Sequence, residues 1–184
     1  KEKRTITIKD NGVGMNKEDL INDLGTIARS GSKDFVNKFS NAKKELDKEK
    51  KENNEEDLNI IGQFGVGFYS AFMVAKNITV LTKKYDSNEG FKFESDGVKT
   101  YTIESNDTLK DSGTEIILTL KDNTDTEDYD KYLNDYEIEE LIKKYSDYIR
   151  YPIKMEVTTK KEKLDKDGKP IEGEYEDVKE VKTL

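Results

Sequence analysis

The stretch "NIIGQFGVGFYSAFMVAKN", from Asn59 to Asn77, constrains the fold most, because it places three glycines inside an otherwise apolar run. These glycines are Gly62, Gly65 and Gly67. In the interior of a helix, each glycine costs about 1 kcal/mol relative to alanine. A plain core helix gains nothing from them, so the pattern indicates a place where another group approaches the bare backbone.

Phosphate is one group that would use such a backbone. Amide groups at the N-terminus of a helix bind anions well, because the helix dipole favours negative charge there. "GQFGVG" precedes Phe68 to Ala75, which is predicted to be a buried helix. Its spacing differs from the dinucleotide fingerprint G-x-G-x-x-G, and it lacks the lysine of a P-loop. Alone, it fits either a phosphate loop or tight turns with close helix packing.

A second glycine motif, "DNGVGM", begins at Asp10 and ends at Met15. A carboxylate only accepts hydrogen bonds, so Asp10 on a pocket floor would accept from the amino group of adenine and reject the carbonyl of guanine. The alternative is a capped turn at a strand end. Thr114, at the start of a strand in "SGTEIILTL", either shares a water with Asp10 or is an ordinary β-branched strand residue.

The composition excludes several classes of protein. The 184 residues include no cysteine and no histidine, which removes disulfides, thiolate zinc sites, histidine metal ligands and Ser/His triads. Charged residues make up 39% and the net charge is −8, so no nucleic-acid partner is expected. No apolar run approaches the ~20 residues of a membrane span, so no membrane partner is expected either.

Hydrophobic periodicity predicts an α+β fold with a layer of helices on one sheet. Asn16 is expected to cap a helix that continues to Ala28, and a later helix is expected from Ile138 to Ile149. The charged run from Lys43 to Asn59 is expected to be solvated, with a mobile cover as the alternative. Asp167-Gly168 indicates a hairpin. The predicted strands are Thr5–Ile8, Ile78–Lys83, Phe91–Glu94, Lys99–Ile103, Thr114–Leu120, Ile153–Lys161 and Glu174–Val181.

In this order, the three motifs resemble the GHKL ATPases, which include gyrase, mismatch-repair proteins, histidine kinases and the ninety-kilodalton heat-shock chaperones. "LGTIARSGSKDF" and "IGQFGVGFYSAFMVA" are similar to the chaperones, and "YSDYIRYPIKMEV" to their bacterial, HtpG-like branch. The resemblance implies a two-layer sandwich, with a mixed, mostly antiparallel sheet of about eight strands and helices on one face. It places the nucleotide-binding domain at 1–160, its lid at about 24–64, and a terminal hairpin strand with the start of a linker at 161–184.

The resemblance also implies an ATP pocket on the helical face, with Asp10 as the adenine anchor. Asp23 stands where asparagine is common, and it brings a negative charge close to the phosphates. Arg29 stands where lysine is common, and arginine keeps the charge but not the shape. The nucleotide-binding residues that the resemblance implies are Asp10, Gly14, Met15, Asp23, Arg29, Gly62, Gln63, Phe64, Gly65, Val66, Gly67, Phe68 and Thr114.

The implied function is ATP binding in an ATP-dependent chaperone of the cytoplasm, with ATP, ADP and Mg²⁺ as cofactors. Its expected partners are unfolded or partly folded client proteins, and it is expected to form a homodimer through regions outside this chain. In the family, the catalytic glutamate and the magnesium-binding asparagine precede the "DNGVGM" strand, and no residue here matches them. The chain opens at "KEKRTITIKD" without a methionine, so we expect a piece of a longer ATPase that is inactive alone.

Two alternatives stay open. The first is a GHKL ATPase of another class, either a histidine kinase or a gyrase or mismatch-repair type. Against these stand the acidic composition without a basic stripe and the continuation of "FYSAFMVA" into further strands. The second is a structural module that merely retains the glycines, which nucleotide binding would distinguish.

Overall fold

The computed structural model describes residues 2–25, 67–98, 100–146, 149–164 and 169–184. The chain forms two compact units, Lys1–Tyr129 and Asp130–Leu184. Most of the expected lid, the charged run and the turn at Asp167-Gly168 lie outside the described residues.

An antiparallel sheet of five strands forms the first unit. The order across the sheet is β1-β5-β2-β3-β4, and each neighbouring pair is antiparallel. All five strands were predicted from the sequence, with shifts at their ends. The strands are β1 (Thr5–Asp10), β2 (Ala75–Lys83), β3 (Gly90–Ser95), β4 (Tyr101–Ser105) and β5 (Gly113–Leu120).

One face of this sheet is apolar and the other is polar, because successive side chains of a strand point to opposite faces. The register aligns Ile8, Ile116 and Val80 across β1, β5 and β2. On the opposite face, Lys9 pairs with Glu115 at 3.8 Å. The apolar face therefore carries the core, and the polar face carries surface ion pairs.

Short helical segments pack on the apolar face. They are α1 (Lys17–Asp19), a π-helical turn (Leu20–Leu24), α2 (Gly67–Ser70) and a 3-10 turn (Ala71–Met73). Half-buried side chains from these segments contact the buried cluster, and each large apolar side chain that is fully buried stabilises the fold by about 1.5–3 kcal/mol. The α+β architecture with helices on one face is confirmed. The buried cluster consists of Leu20, Ala75, Ile78, Val80, Phe91, Phe93 and Leu118.

The helix that begins after Asn16 has the predicted cap but a different course. Asn16 Oδ1 accepts from the Asp19 amide at 2.9 Å, and Asp19 Oδ2 accepts from the Asn16 amide at 3.0 Å, so the two form a capping box. Lys84 Nζ lies 2.7 Å from the same Asp19 oxygen. After one α-helical turn the chain becomes a π-helix from Leu20 to Leu24 rather than a continuous α-helix, and such π-segments often occur at functional sites.

The segment from Phe68 to Ala75 is not the single buried helix that its apolar residues predicted. It forms α2 and the 3-10 turn, and β2 already begins at Ala75. The Lys121 amide donates to the Val74 carbonyl at 2.9 Å, and Ala75 pairs with Leu120 of β5. Pairing with β5 thus takes the backbone groups that a longer helix would have used.

The second unit contains a 3-10 turn (Asp130–Leu133), helix α3 (Asp135–Tyr145) and a hairpin of β6 (Lys154–Leu164) and β7 (Pro170–Thr183). Helix α3 ends at Tyr145, four residues before the predicted end at Ile149. At the observed end, the Ser146 amide donates to the Ile142 carbonyl. The predicted antiparallel hairpin is confirmed.

The seven described strands form a sheet of five and a hairpin of two, rather than one sheet of about eight. The expected domain boundary after residue 160 falls inside β6. The boundary between the two compact units lies between Tyr129 and Asp130 in the chain. The assignment of 1–160 to one nucleotide-binding domain stays a prediction. No helix within the described ranges is long and apolar enough to cross a membrane.

Candidate functional site

A polar row interrupts the apolar face at one end of the sheet. Asp10 of β1, Thr114 of β5 and Thr82 of β2 stand opposite one another in the register. They lie on the same face of the sheet as Ile8 on β1 and Val80 on β2. Thr82 and Thr114 are only 1% and 8% exposed, and buried hydroxyls require hydrogen-bond partners. The row is therefore a fixed polar network set into an apolar surface.

Asp10 is held through one of its two carboxylate oxygens. Oδ1 accepts from the Gly12 amide at 2.8 Å and from the Thr114 amide at 3.2 Å. Oδ2 forms no hydrogen bond with any residue that the structure describes. The side chain is exposed. Asp10 thus has a fixed position and one oxygen available to an external donor.

Thr82 connects the glycine motif to the strand that carries Thr114. Its Oγ1 lies 2.9 Å from the Met15 amide nitrogen, 3.0 Å from the Gly113 carbonyl oxygen and 3.2 Å from Thr114 Oγ1. The sequence analysis did not identify Thr82 as a site residue. A signal existed, because Thr82 continues the inward alternation of Ile78 and Val80, where an apolar residue is the usual choice.

Gly14 lets the "DNGVGM" loop lie directly against β2. Its φ is +62°, a conformation that favours glycine, and an added Cβ would overlap the backbone carbonyl of Lys83. The Tyr85 amide also donates to the Val13 carbonyl at 2.7 Å. This glycine is required for a close backbone approach, which is the role that the sequence indicated for the glycines in general.

Met15 and Phe68 pack against the same buried cluster. The Phe68 ring lies edge-on to Phe93, with ring centres 5.9 Å apart. Next to it, the Tyr69 hydroxyl donates to the Leu24 carbonyl at 2.7 Å. Burial, together with the neighbouring Tyr101, raises the pKa of Tyr69, so this hydroxyl remains a donor at neutral pH.

An open groove adjoins Asp10 at the same end of the sheet. Its volume is about 380 Å³, and it is bordered by Lys9, Asp10 and Asn11 on one side and by residues 108–113 on the other. Leu109 is 8% exposed and forms an apolar part of this loop. The groove gives a small molecule access to the exposed side of Asp10.

The structure brings together Asp10, Gly14, Met15 and Thr114 and includes three further predicted site residues. Asp23 is half-buried in the π-helical turn. Gly67 begins α2, and an added Cβ there would meet no described atom within 4 Å. Within the described residues, no group of three or more Asp or Glu could hold a metal ion. The predicted residues outside the described ranges are Arg29, Gly62, Gln63, Phe64, Gly65 and Val66.

Comparisons with known proteins identify the family to which this chain belongs. The family model described as "Histidine kinase-, DNA gyrase B-, and HSP90-like ATPase" matches residues 1–123. The chain is 51% identical over 175 residues to Chaperone protein HtpG of Clostridium acetobutylicum, which covers 95% of the chain. It is 50% identical over 185 residues to Chaperone protein HtpG of Shouchella clausii, which covers all of it. The chain spans 26% of the length of each of these relatives. It belongs to the family of histidine kinase-, DNA gyrase B- and HSP90-like ATPases.

Proposed function

We propose that this chain binds the adenine nucleotide that drives an ATP-dependent molecular chaperone. The observation that carries the proposal is the Asp10 carboxylate, whose Oδ1 is held by two backbone amides while Oδ2 has no partner among the described residues. A carboxylate oxygen accepts from the exocyclic amino group of adenine and has nothing to offer the carbonyl of guanine. Charge-assisted hydrogen bonds of this kind are worth about 1.5–3 kcal/mol.

The neighbouring residues have roles that suit a bound purine. Gly14 allows the loop backbone to lie against Lys83 of β2, and we assign to Met15 and Phe68, which pack on the buried cluster, the apolar contacts with the base. Thr114 is linked to Asp10 through its amide and through the polar row. These residues fit the base of an adenine nucleotide, because they combine one fixed acceptor with apolar packing.

The phosphates are proposed to lie at the second glycine motif. Gly67 begins a helix and has open space where a side chain would be, and helix N-termini that carry glycine favour phosphate. We assign the phosphate contacts to Gly62, Gln63, Phe64, Gly65, Val66 and Gly67, with Asp23 and Arg29 near the ribose and phosphate end.

The relatives support a chaperone rather than another class of the family, because both proteins compared are named Chaperone protein HtpG. On this proposal, nucleotide binding closes a lid at about residues 24–64 and drives the folding cycle. Unfolded or partly folded proteins are the clients, the protein dimerises through regions outside this chain, and it acts in the cytoplasm.

Hydrolysis is proposed to need residues beyond this chain. Turnover requires a group that positions and activates water in line with the γ-phosphate. No residue here matches the glutamate that the family uses, and the described residues offer no cluster for Mg²⁺. We propose that this chain contributes nucleotide binding and not the catalytic group.

Thermal unfolding of the full-length protein with ATP, ADP or GTP tests the nucleotide assignment. A ligand at a hundred times its Kd stabilises the protein by about 2.7 kcal/mol. We expect ATP and ADP to raise the unfolding temperature and GTP to leave it unchanged. Equal shifts with ADP and GTP would contradict the adenine anchor, and no shift with any of the three would favour a structural module.

The chaperone assignment has its own test. The full-length protein should suppress the aggregation of a chemically unfolded model protein, and ATP should change the extent of suppression. ATP-dependent labelling of a histidine residue, or DNA-stimulated hydrolysis without any effect on aggregation, would instead favour another class of the family.

A further inference from the structure

The hydroxyl of Thr82 has three polar neighbours but only one proton. These neighbours are the Met15 amide at 2.9 Å, the Gly113 carbonyl at 3.0 Å and the Thr114 hydroxyl at 3.2 Å. Thr82 is 1% exposed, so its hydroxyl does not form hydrogen bonds with bulk water. In a buried network, each contact stabilises the fold only when a donor faces an acceptor.

One arrangement of protons makes all three contacts favourable. The Met15 amide can only donate and the Gly113 carbonyl can only accept, so Thr82 accepts from the first and donates to the second. Its single proton is then used. The contact with Thr114 is favourable only if Thr114 donates to Thr82. The proton of Thr114 is then used as well, so Thr114 Oγ1 can only accept a hydrogen bond from any further group.

We propose that Thr82 is a positioning residue that makes Thr114 a hydrogen-bond acceptor and thereby sets the base specificity of the site. Asp10 Oδ2 is also an acceptor, so these two side chains present acceptors only. A water bridging them would donate its two protons to Asp10 and Thr114 and would offer a ligand its lone pairs. In either case, the acceptors of Asp10 and Thr114 favour a purine with an amino group at position 6 and disfavour a purine with an oxygen at that position.

The inference rests on the proposed function, because it needs an adenine base to face Asp10 and Thr114. Thr82 would thus affect the specificity of the site without contacting the ligand. The inference also predicts that discrimination between 6-amino and 6-oxo purines depends on Thr82 Oγ1, which contacts Thr114 from the neighbouring strand.

The test compares Thr82→Val, which keeps the shape but removes the hydroxyl, with Thr82→Ser, which keeps the hydroxyl. Calorimetric affinities for ADP and inosine diphosphate are measured in the full-length protein. With valine, the Thr114 proton is released and can turn toward the 6-oxygen of hypoxanthine. We expect the ratio of the ADP affinity to the inosine diphosphate affinity to fall about tenfold in Thr82→Val, the effect of one hydrogen bond, and to stay unchanged in Thr82→Ser.

A merely structural role predicts a different pattern. If Thr82→Val weakens both nucleotides equally and leaves their ratio unchanged, the inference is wrong while the proposed function stands. If the unmutated protein binds no ADP, the proposed function fails and the inference fails with it.

A measurement on the unmutated protein covers the case in which Thr82→Val does not fold. Purine riboside diphosphate carries only hydrogen at position 6, and inosine diphosphate carries an oxygen. Facing acceptors only, the oxygen is repelled, so inosine diphosphate should bind more weakly than purine riboside diphosphate. Equal or tighter binding of inosine diphosphate would overturn the proposal.

Discussion

Phe93 in the five-stranded sheet is 1% exposed, whereas Val181 on β7 of the hairpin is 67% exposed. Both residues lie in antiparallel strands, but the strands are stabilised differently. In the sheet, Phe93 stacks on Tyr101 with ring centres 5.2 Å apart and meets Phe68 edge-on. In the hairpin, the cross-strand contacts are mainly between charged side chains. The sheet is therefore stabilised chiefly by burial of apolar surface, and the hairpin by backbone pairing and surface ion pairs.

The hairpin pairs are Lys161 with Glu180 at 2.9 Å, Lys179 with Glu156 at 3.1 Å and Lys163 with Glu174 at 3.4 Å, and all of these side chains are at least 42% exposed. Exposed pairs of this kind contribute about 0–1 kcal/mol each. On such an exposed surface, an unpaired polar atom costs little free energy, because water replaces the missing partner. The polar row of Asp10, Thr114 and Thr82 is different, because Thr114 and Thr82 are buried and an unmet hydrogen bond at either hydroxyl is costly.

The largest expected effect on stability is that of Phe93→Ala. Loss of a buried aromatic side chain costs about 3–5 kcal/mol, because the cavity is only partly refilled. We expect Val181→Ala to change stability by less than about 0.5 kcal/mol. Scanning calorimetry of the full-length protein measures both. Similar effects of the two substitutions would remove the distinction between the sheet and the hairpin.

Two glycines with positive φ, one in each unit, have different surroundings. Gly14 has φ +62° and an added Cβ would overlap Lys83, whereas Gly173 has φ +82° and an added Cβ meets no described atom within 4 Å. Gly173→Ala should cost only the conformational strain, about 1–2 kcal/mol. Gly14→Ala should cost about 1 kcal/mol more than that and should also weaken ADP binding, because the loop must move. Equal costs, with ADP affinity intact, would contradict the close approach seen at Gly14.

The smallest effect is expected for Glu139 of α3. Its carboxylate lies 2.7 Å from Lys143 Nζ and 2.6 Å from Lys182 Nζ on β7, and hydrogen bonds from Lys143 and then Lys182 lower the pKa of Glu139. A carboxyl group with a lowered pKa adds stability above its unfolded pKa, about 4.3, and this is lost as the pH falls through the folded pKa. Glu139→Gln should therefore lower the unfolding temperature slightly at pH 7 and not at pH 3.

The control for this prediction is Glu137→Gln on the same helix, where the carboxylate forms no ion pair with a described residue. At pH 7 it should remove only the interaction of a first-turn carboxylate with the helix dipole, and at pH 3 it should have no effect. If the difference between the unmutated protein and Glu139→Gln persists at pH 3, the two lysines are not the source of the stabilisation.

Strand positions were predictable from the sequence wherever inward and outward residues alternate, as in β1, β3 and β5. The start of β2 was not, because "FYSAFMVA" is apolar at every spacing and its pairing with Leu120 of β5 decides the structure. Asp10 could be identified by its motif, and the α1 cap by Asn16. Thr82 could be recognised only as a polar residue at an inward position. Its role could not be predicted, since it depends on Met15 and Gly113, which are distant from it in sequence and contact it only in the folded chain.

On this proposal, Asp10 anchors the base of an adenine nucleotide. The most direct test is the calorimetric ADP affinity of Asp10→Asn in the full-length protein. The amide oxygen can still accept from Gly12 and Thr114, but an NH₂ donor replaces Oδ2 and would face the adenine amino group. Glu115→Gln is the matched control, because Glu115 follows Thr114 on the opposite face and pairs with Lys9 at 3.8 Å.

We expect Asp10→Asn to weaken ADP binding roughly ten- to a hundredfold, which corresponds to the loss of about 1.5–3 kcal/mol. The unfolding temperature without ligand should remain close to that of the unmutated protein, and Glu115→Gln should bind ADP normally. An unchanged ADP affinity in Asp10→Asn, in a protein that binds ADP, would contradict the anchoring role of Asp10 and with it the account of the site.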